Sequence, residues 1–388
     1  MAAIHDSVLR PEEIARLTPA QGIARGLPRS AFNDEAFFRL ECERLFPRQW
    51  VFVGHAHDIP ATGDVMPVTV AGIPVILVRA RNGEVNAFHN TCRHRGRKLV
   101  DEFCRNRQLL VCPYHRWAYG LDGALRATPH FGGYQKSSAP GFDRNAFGLK
   151  PVRAVQWHDW LLVNLDGQAA SFEEQVTPIV QRVADWDFRA EGYDLANLRH
   201  VGTIEFGEVR GNWKIVVENF IEPYHVPCVH SDSCAGQPLE AHFAISDGRV
   251  VGSAARIKGS KAAVSLEEQR AAAARKQLDS SALYLVLFPN FALGFYGDSV
   301  ISILTVPLAA DRTRERFDLY VWDYVDPTPE TVEGWMDLNR RINAEDIGMI
   351  EAMQEGLASP VMDEGALISP HWEHCIQQFE KMVAEGVL

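Results

Sequence analysis

Two short prongs, each mixing a sulfur and a nitrogen donor, constrain this chain more than any other feature. Cys92-Arg93-His94 reads C-x-H and Cys112-Pro113-Tyr114-His115 reads C-x2-H, with Arg95 through Val111 between them. Each prong offers one thiolate and one imidazole from a loop, so the pair can grip a metal centre from one side. Tetrahedral zinc closes around any two-Cys, two-His set, but zinc fingers usually pair cysteine with cysteine and histidine with histidine. A [2Fe–2S] centre in which two histidines replace two cysteines on one iron asks for the mixed prongs seen here.

With 388 residues the chain has room for two domains. Its 46% hydrophobic and 23% charged content is ordinary for a soluble globular protein. A net charge of −11 disfavours nucleic acid as a partner. No stretch approaches the ~20 apolar residues of a membrane span, and Met1 to Arg10 lacks the regions of a signal peptide. Of seven cysteines, Cys42, Cys104, Cys228, Cys234 and Cys375 remain once the prongs are set aside, scattered as expected for reduced thiols in a cytoplasmic protein.

The flanks of the prongs narrow the choice. His94-Arg95-Gly96 follows the first and Trp117-Ala118-Tyr119-Gly120-Leu121-Asp122-Gly123 the second. Here the chain resembles the Rieske iron–sulfur proteins, specifically the domain of Rieske non-haem iron oxygenases. Some Rieske proteins carry a disulfide beside the cluster, but the positions it would need hold Arg97 and Tyr114. One departure is Arg116, where the family usually has glycine.

Periodicity divides the chain into an N-terminal helical segment (1–45), an all-β domain (46–166) and a third region (167–388). Pro11-Glu12-Glu13 and Asn33-Asp34-Glu35 open helices in the first. From Trp50 short strands alternate with turns: Val51 to Val53, Met66 to Val70 and Val75 to Val78, broken by Thr62-Gly63-Asp64 and Asn82-Gly83, with Trp157 to Leu165 as the closing strand. Both prongs lie in loops of this domain. Beyond it, helices are expected over Phe172 to Trp186, Trp213 to Tyr224, Ser265 to Leu278, Pro329 to Gly356 and Trp372 to Ala384. Strands are expected at Val201 to Gly207, Leu283 to Leu287, Val300 to Val306 and Phe317 to Trp322. The fold class is α+β, an all-β domain and then an antiparallel sheet with helices against it; the resemblance implies that these are a Rieske domain and a helix-grip, START-like catalytic domain.

Glu218-Asn219-Phe220-Ile221-Glu222-Pro223-Tyr224-His225-Val226-Pro227-Cys228-Val229-His230 is the second constellation. On a continuing helix Glu222 and His225, three apart, share a face, and Pro227 then ends or kinks it before His230. Two histidines plus a distant carboxylate make the facial triad of non-haem Fe(II) oxygenases. The resemblance draws the last ligand from the late helix, where Asp346 is the candidate and Glu345 the alternative. His371 and His374, and likewise His55 and His57, read as packing or surface residues.

The resemblance implies a terminal oxygenase holding a [2Fe–2S] Rieske cluster on Cys92, His94, Cys112 and His115, and a mononuclear Fe(II) on His225, His230 and Asp346. It implies a homotrimer in which Glu222 links His115 of one chain to His225 of the next. Electrons come from a separate flavin or ferredoxin-type reductase, since no G-x-G-x-x-G fingerprint is present. Glutamate in Glu-Asn-Phe-x-Glu-x-Tyr-His is similar to the branch that acts on quaternary ammonium compounds (carnitine, choline and betaines). A cationic substrate suits aromatic walls, for which Phe220, Phe288, Phe291, Phe295, Tyr296 and Trp322 are the candidates. Hydroxylation or O-demethylation of an aromatic acid is the alternative, and a Rieske electron carrier without oxygenase activity the alternative of another class.

Overall fold

The computed structural model describes residues 9–185, 194–233, 239–257 and 280–388. The helix expected over Ser265 to Leu278, and Cys234, lie outside the described residues. The chain divides into two compact units, one of Phe46–Ala169 and one that joins Met1–Leu45 to Ala170–Leu388.

The smaller unit is antiparallel β throughout. Strands β1 (Val51–His55), β2 (Val65–Val70), β3 (Ile73–Arg79), β4 (Val85–His89), β8 (Pro151–Trp157) and β9 (Trp160–Asn164) form one sheet in the order β1-β9-β8-β4-β3-β2. A second sheet holds β5 (Leu110–Val111), β6 (Ala118–Tyr119) and β7 (Leu125–Ala127). Trp157 does not open the closing strand: it ends β8 and pairs with Trp160 across the turn His158-Asp159, where His158 has φ 54°. A two-residue hairpin loop favours such left-handed residues because their twist matches the strands. The core between the sheets includes Val65, Ile76, Phe88, Leu99, Leu110 and Trp117.

The larger unit is built on a seven-stranded antiparallel sheet. Its strands are β10 (Leu198–Val209), β11 (His242–Asp247), β12 (Val250–Ile257), β13 (Ser280–Leu287), β14 (Phe291–Phe295), β15 (Ser299–Ala309) and β16 (Arg312–Trp322), ordered β10-β16-β15-β14-β13-β12-β11. The run from β11 to β16 is a meander, so β10 and β11 end as the two edges. Before the sheet come helices α1 (Pro11–Leu17), α2 (Ser30–Asn33), α3 (Glu35–Leu40) and α4 (Phe172–Asp185). Asp34 starts α3 by accepting the Ala36 N–H at 2.7 Å.

Between β10 and β11 the chain forms α5 (Trp213–Ile221) and α6 (Val226–Val229), and after β16 come α7 (Pro329–Gly356) and α8 (His374–Val387). Thr328 caps α7 with Pro329 in its first turn, the arrangement that leaves no helical N–H wasted. The buried face of α5 carries a lysine. Lys214 is fully buried and its Nζ donates to Glu41 Oε1 at 2.6 Å, while Trp213 Nε1 donates to the other carboxylate oxygen at 3.1 Å. Burial raises the Glu41 carboxyl above its ordinary pKa, and the contacts from Lys214 and Trp213 oppose that shift. No helix among the described residues is long and apolar enough to cross a membrane.

Candidate metal centres

The first prong follows β4. Buried Asn90 ties the ends of its loop together: Nδ2 donates to Val100 O at 2.7 Å, and Oδ1 accepts the Leu99 and Val100 N–H groups at 3.0 Å each. The second prong is the loop between β5 and β6. Both close on one backbone frame. The Cys92 N–H donates to Arg97 O (2.9 Å) and the Gly96 N–H to Cys92 O (3.0 Å); the Cys112 N–H donates to Trp117 O (2.8 Å) and the Arg116 N–H to Cys112 O (3.0 Å). The fourth residue past each cysteine is left-handed, with Gly96 at φ 75° and Arg116 at φ 60°. Arg116 therefore occupies a glycine conformation, which costs an L-residue roughly 1 kcal/mol or more.

Cys92 and Cys112 are each 2% exposed. Burial raises the Cys92 thiol above its ordinary pKa; the Cys112 thiol beside it adds to this, and the Tyr119 hydroxyl, 3.3 Å away, opposes it. The two imidazoles also pair, His94 and His115 meeting edge to face at 4.6 Å, with His94 stacked on Trp117 at 4.8 Å and 10°. Burial lowers the His94 pKa, helped by the neighbouring His115 and Arg95 side chains, which favours the neutral ring. Its Nδ1 is buried with no hydrogen-bond partner. A group of thiol beside thiol and imidazole beside imidazole, with one ring nitrogen left unpaired, fits a two-iron cluster with both imidazoles on one iron.

In the larger unit α5 starts at Asn212, whose side chain accepts the Lys214 N–H at 2.9 Å. The expected continuation to Tyr224 does not form. The helix stops at Ile221 because Glu222 precedes Pro223, and a residue before proline is pushed out of the α region; Glu222 is extended at φ −103°, ψ 141°. Glu222 and His225 thus meet across a turn rather than along a helix. The Glu222 carboxylate accepts the backbone N–H of Tyr224 and of His225, and His225 Nδ1–H donates to Oε1 at 2.5 Å. Pro227 also does the reverse of what its spacing suggests: it sits in the first turn of α6 and starts a helix instead of ending one. His225 and His230 cap the two ends of α6, and their rings meet at 5.2 Å and 77°.

Both rings turn Nε2 toward Asp346 on α7, at 3.0 Å for His230 and 3.6 Å for His225 from Oδ1. The three donor atoms lie within 4.8 Å of one another, and Asn219 Nδ2 donates to the same Asp346 oxygen at 3.2 Å. Glu345 points elsewhere, accepting His230 Nδ1–H and the Ser233 hydroxyl at 2.7 Å each. Each imidazole therefore has a carboxylate on Nδ1, which fixes its tautomer and leaves Nε2 as the ligating nitrogen. Burial works to lower the His230 pKa, but Asp346 and Glu345 outweigh it and hold it above the ordinary range. Behind Asp346, buried Glu315 accepts Asn343 Nδ2 at 2.6 Å and is pushed up to about 7, chiefly by burial. Two imidazoles and one carboxylate on one side of a space fit a facial-triad ion.

The aromatic candidates separate. Phe220 and Tyr296 are partly exposed, and both meet Tyr284, which the sequence reading missed, edge to face at 5.7 and 5.8 Å. Phe291 and Phe295 point to the opposite side of the sheet. Each pairs across β13 with Leu287 or Leu283, whereas Tyr284 pairs with Gly294 on the other face. With Phe288, which packs on Phe379 of α8 at 5.6 Å, and Trp322, they are 0–1% exposed and belong to the core. Among the described residues, His371 and His374 join no converging donor group.

Comparison with known proteins agrees with this architecture. The Rieske [2Fe-2S] domain family matches residues 49–138 and the ring hydroxylating alpha subunit (catalytic domain) family residues 186–387. The chloroplastic choline monooxygenase of Atriplex hortensis is 26% identical over 371 residues, covering 92% of this chain and 78% of that protein. The carnitine monooxygenase oxygenase subunit of Escherichia coli is 24% identical, covering 92% and 93%. The glycine betaine monooxygenase oxygenase subunit of Chromohalobacter salexigens is 35% identical over 206 residues, 53% of this chain and 43% of its own. Among solved structures, a quaternary ammonium Rieske monooxygenase superposes with a TM-score of 0.79 at 19% identity, over 98% of this chain and 99% of that one. Naphthalene 1,2-dioxygenase does so at 0.73 and 21%, over 94% and 92%. With more than half its length matched by the catalytic-domain family and a Rieske domain ahead of it, the chain belongs to the ring-hydroxylating oxygenase alpha subunits, oxidoreductases that combine a Rieske [2Fe–2S] cluster with non-haem iron.

Proposed function

We propose that the chain is the terminal oxygenase of a multicomponent system that hydroxylates a small quaternary ammonium compound at a C–H bond, with N-demethylation as the outcome where an N-methyl carbon is attacked. Cys92, His94, Cys112 and His115 would hold the cluster, and His225, His230 and Asp346 the mononuclear iron. When bound, the two groups supply single-electron storage and oxygen activation respectively. The protein's own contribution is orientation. Glu222 and Glu345 hold the imidazoles, and Asn219 steadies Asp346.

The observation that carries the substrate class is the aromatic trio Phe220, Tyr284 and Tyr296. It begins one residue from Asn219, the side chain that touches Asp346, and offers partly exposed rings in edge-to-face contact. Ring faces attract a cation that has lost its hydration, by about 0.5–2 kcal/mol each. The choline, carnitine and glycine betaine monooxygenases among the relatives support the same class. We propose further that Glu222 links His225 to His115 of a neighbouring copy in a homotrimer, and that a separate flavin or ferredoxin-type reductase supplies the electrons. A reducing, cytoplasmic setting suits the free thiols of Cys42, Cys104, Cys228 and Cys375.

The test is substrate-dependent NADH use with a surrogate reductase, comparing choline, carnitine and betaines with their uncharged tert-butyl analogues and with aromatic acids. Cationic substrates should be preferred at least tenfold over the neutral isosteres, and Tyr284→Ala should narrow that gap. Turnover of aromatic acids alone would overturn the substrate class. Two irons per chain and no turnover with any substrate would favour an electron carrier over an oxygenase holding three.

A further inference from the structure

The tip of the smaller unit that carries the two cluster prongs is basic, and its cations are of two kinds. Arg97 and Lys98 pair with Asp101, and Arg105 pairs with Asp64. Arg93, Arg95 and Arg116 meet no carboxylate among the described residues. Each of these three is adjacent in sequence to a candidate cluster histidine: Arg93 and Arg95 flank His94, and Arg116 follows His115. Arg95 lies over the exposed Tyr114 ring at 5.7 Å, and the buried Nε of Arg93 has no hydrogen-bond partner.

Arg116 carries a further sign. It is exposed, and its backbone is held in the left-handed region at φ 60°, the place that Gly96 fills in the other prong at φ 75°. Strain of this kind persists where the residue serves something beyond its own turn. An exposed arginine gives the smaller unit nothing that glycine would not, so the strain points to a contact made outside the chain.

The opposite charge gathers beside Glu222 in the larger unit. Glu373 directly precedes α8, and the Cys375 thiol donates to Ile221 O at 3.5 Å, so the start of that helix abuts the end of α5. The Glu373 carboxylate accepts the Ser369 N–H at 2.6 Å. Burial raises the Glu373 pKa, the Ser369 N–H opposes the rise, and nearby Glu222 adds to it. Among the described residues neither Glu222 nor Glu373 meets a lysine or arginine. Both are partly exposed, and Tyr224 is 50% exposed, so this acidic shoulder is open to a partner.

The link proposed above, between His115 of one copy and Glu222 of the next, brings the two patches face to face. Residue 116 is one Cα step, about 3.8 Å, beyond His115, so its guanidinium comes within reach of the group that flanks Glu222. Copies of a chain with net charge −11 repel one another at long range, and a local match of sign selects this approach among others. We propose that Arg116 of one copy pairs with Glu373 of its neighbour, with Arg93 and Arg95 against the same acidic shoulder, and that this contact holds the cluster tip in register over Glu222. The inference rests on the link between Glu222 and His115 and adds the charges that fix it.

The test uses the full chain with its cluster loaded and follows assembly by sedimentation velocity from nanomolar to micromolar concentration, in mild urea where the wild type otherwise stays whole. Arg116→Glu and Glu373→Arg should each raise the concentration of half-dissociation at least tenfold, and the two together should recover most of the loss, with cluster absorption unchanged throughout. Raising NaCl tenfold from about 50 mM should weaken the wild type more than Arg116→Gly, because salt screens the pair. A wild type that is monomeric at every concentration would remove the link itself and the inference with it. An oligomer whose midpoint neither charge reversal moves, or that the double variant does not recover, would overturn the arginine pair alone, while Glu222→Ala reports separately on the link.

Discussion

Glutamine at position 380 should make the larger unit more stable at alkaline pH and change it little at acidic pH. Glu218 on α5 and Glu380 on α8 are buried carboxyls that hydrogen-bond each other, and Glu380 Oε2 also accepts the Leu27 N–H at 2.6 Å. Burial raises Glu218 well above its ordinary value, with Glu380 adding to the shift. Burial likewise pushes Glu380 from 4.5 to about 7, against the Leu27 N–H and Lys214. Two adjacent carboxyls in a dry interior cannot both ionise, so the folded pair keeps a proton that the unfolded chain has lost. Where the folded state binds more protons, stability falls as pH rises. The fall runs from about 4.5 to about 7 and is complete above that. At 1.36 kcal/mol per unit, the shift corresponds to about 3 kcal/mol.

Glu380→Gln has no proton to lose, yet keeps an acceptor for Leu27 and a donor for Glu218. Its stability relative to wild type should therefore improve by about 3 kcal/mol between pH 5 and pH 8. Urea midpoints followed by tryptophan fluorescence at several pH values would show it, because titrations of groups remote from the Glu218–Glu380 pair cancel in the difference. Parallel pH curves for the two proteins, offset by a constant amount, would refute the shared-proton reasoning.

Three further outcomes are expected. Glu345→Gln should weaken Fe(II) binding about 10–100-fold, the range for a lost carboxylate behind a ligating imidazole, read by metal titration with the cluster signal intact. Glu222→Gln should keep both metal groups but slow the delivery of electrons in single-turnover kinetics, and unchanged rates would contradict the proposed link to His115. Arg116→Gly should stabilise the smaller unit by roughly 1 kcal/mol, by relieving the left-handed strain, and denaturant melts of the full chain would detect it.

How much of this was legible from sequence depended on how local each feature is. Both cluster prongs could be read because their donors sit two or three residues apart in short loops. The helix Pro329–Gly356 was delimited by its own punctuation, proline at the start and glycine at the end. The end of α5 is hidden because Trp213, Val216, Val217 and Phe220 carry helical spacing right up to Pro223, while that proline holds Glu222 extended. Among the aromatics, Tyr284 was hidden inside the apolar run Leu283 to Leu287, while Phe291 and Phe295 were conspicuous but face the other way. The role of Glu345 was not legible at all: it meets His230 across 115 residues of sequence. The Glu41–Lys214 pair, 173 residues apart, was hidden for the same reason.

His225 and His230 are steadied by carboxylates of very different provenance, and this sets an order of assembly. Glu222 is three residues from His225 and can orient it as soon as that turn exists. His230 must wait for Glu345, and the triad for Asp346, both supplied by a helix made only after six more strands of the sheet have emerged. A nascent chain thus holds half a trap, and the ion is taken up late, once the sheet is finished. Stray metal ions meeting the ribosome-bound polypeptide find two histidines without the third jaw.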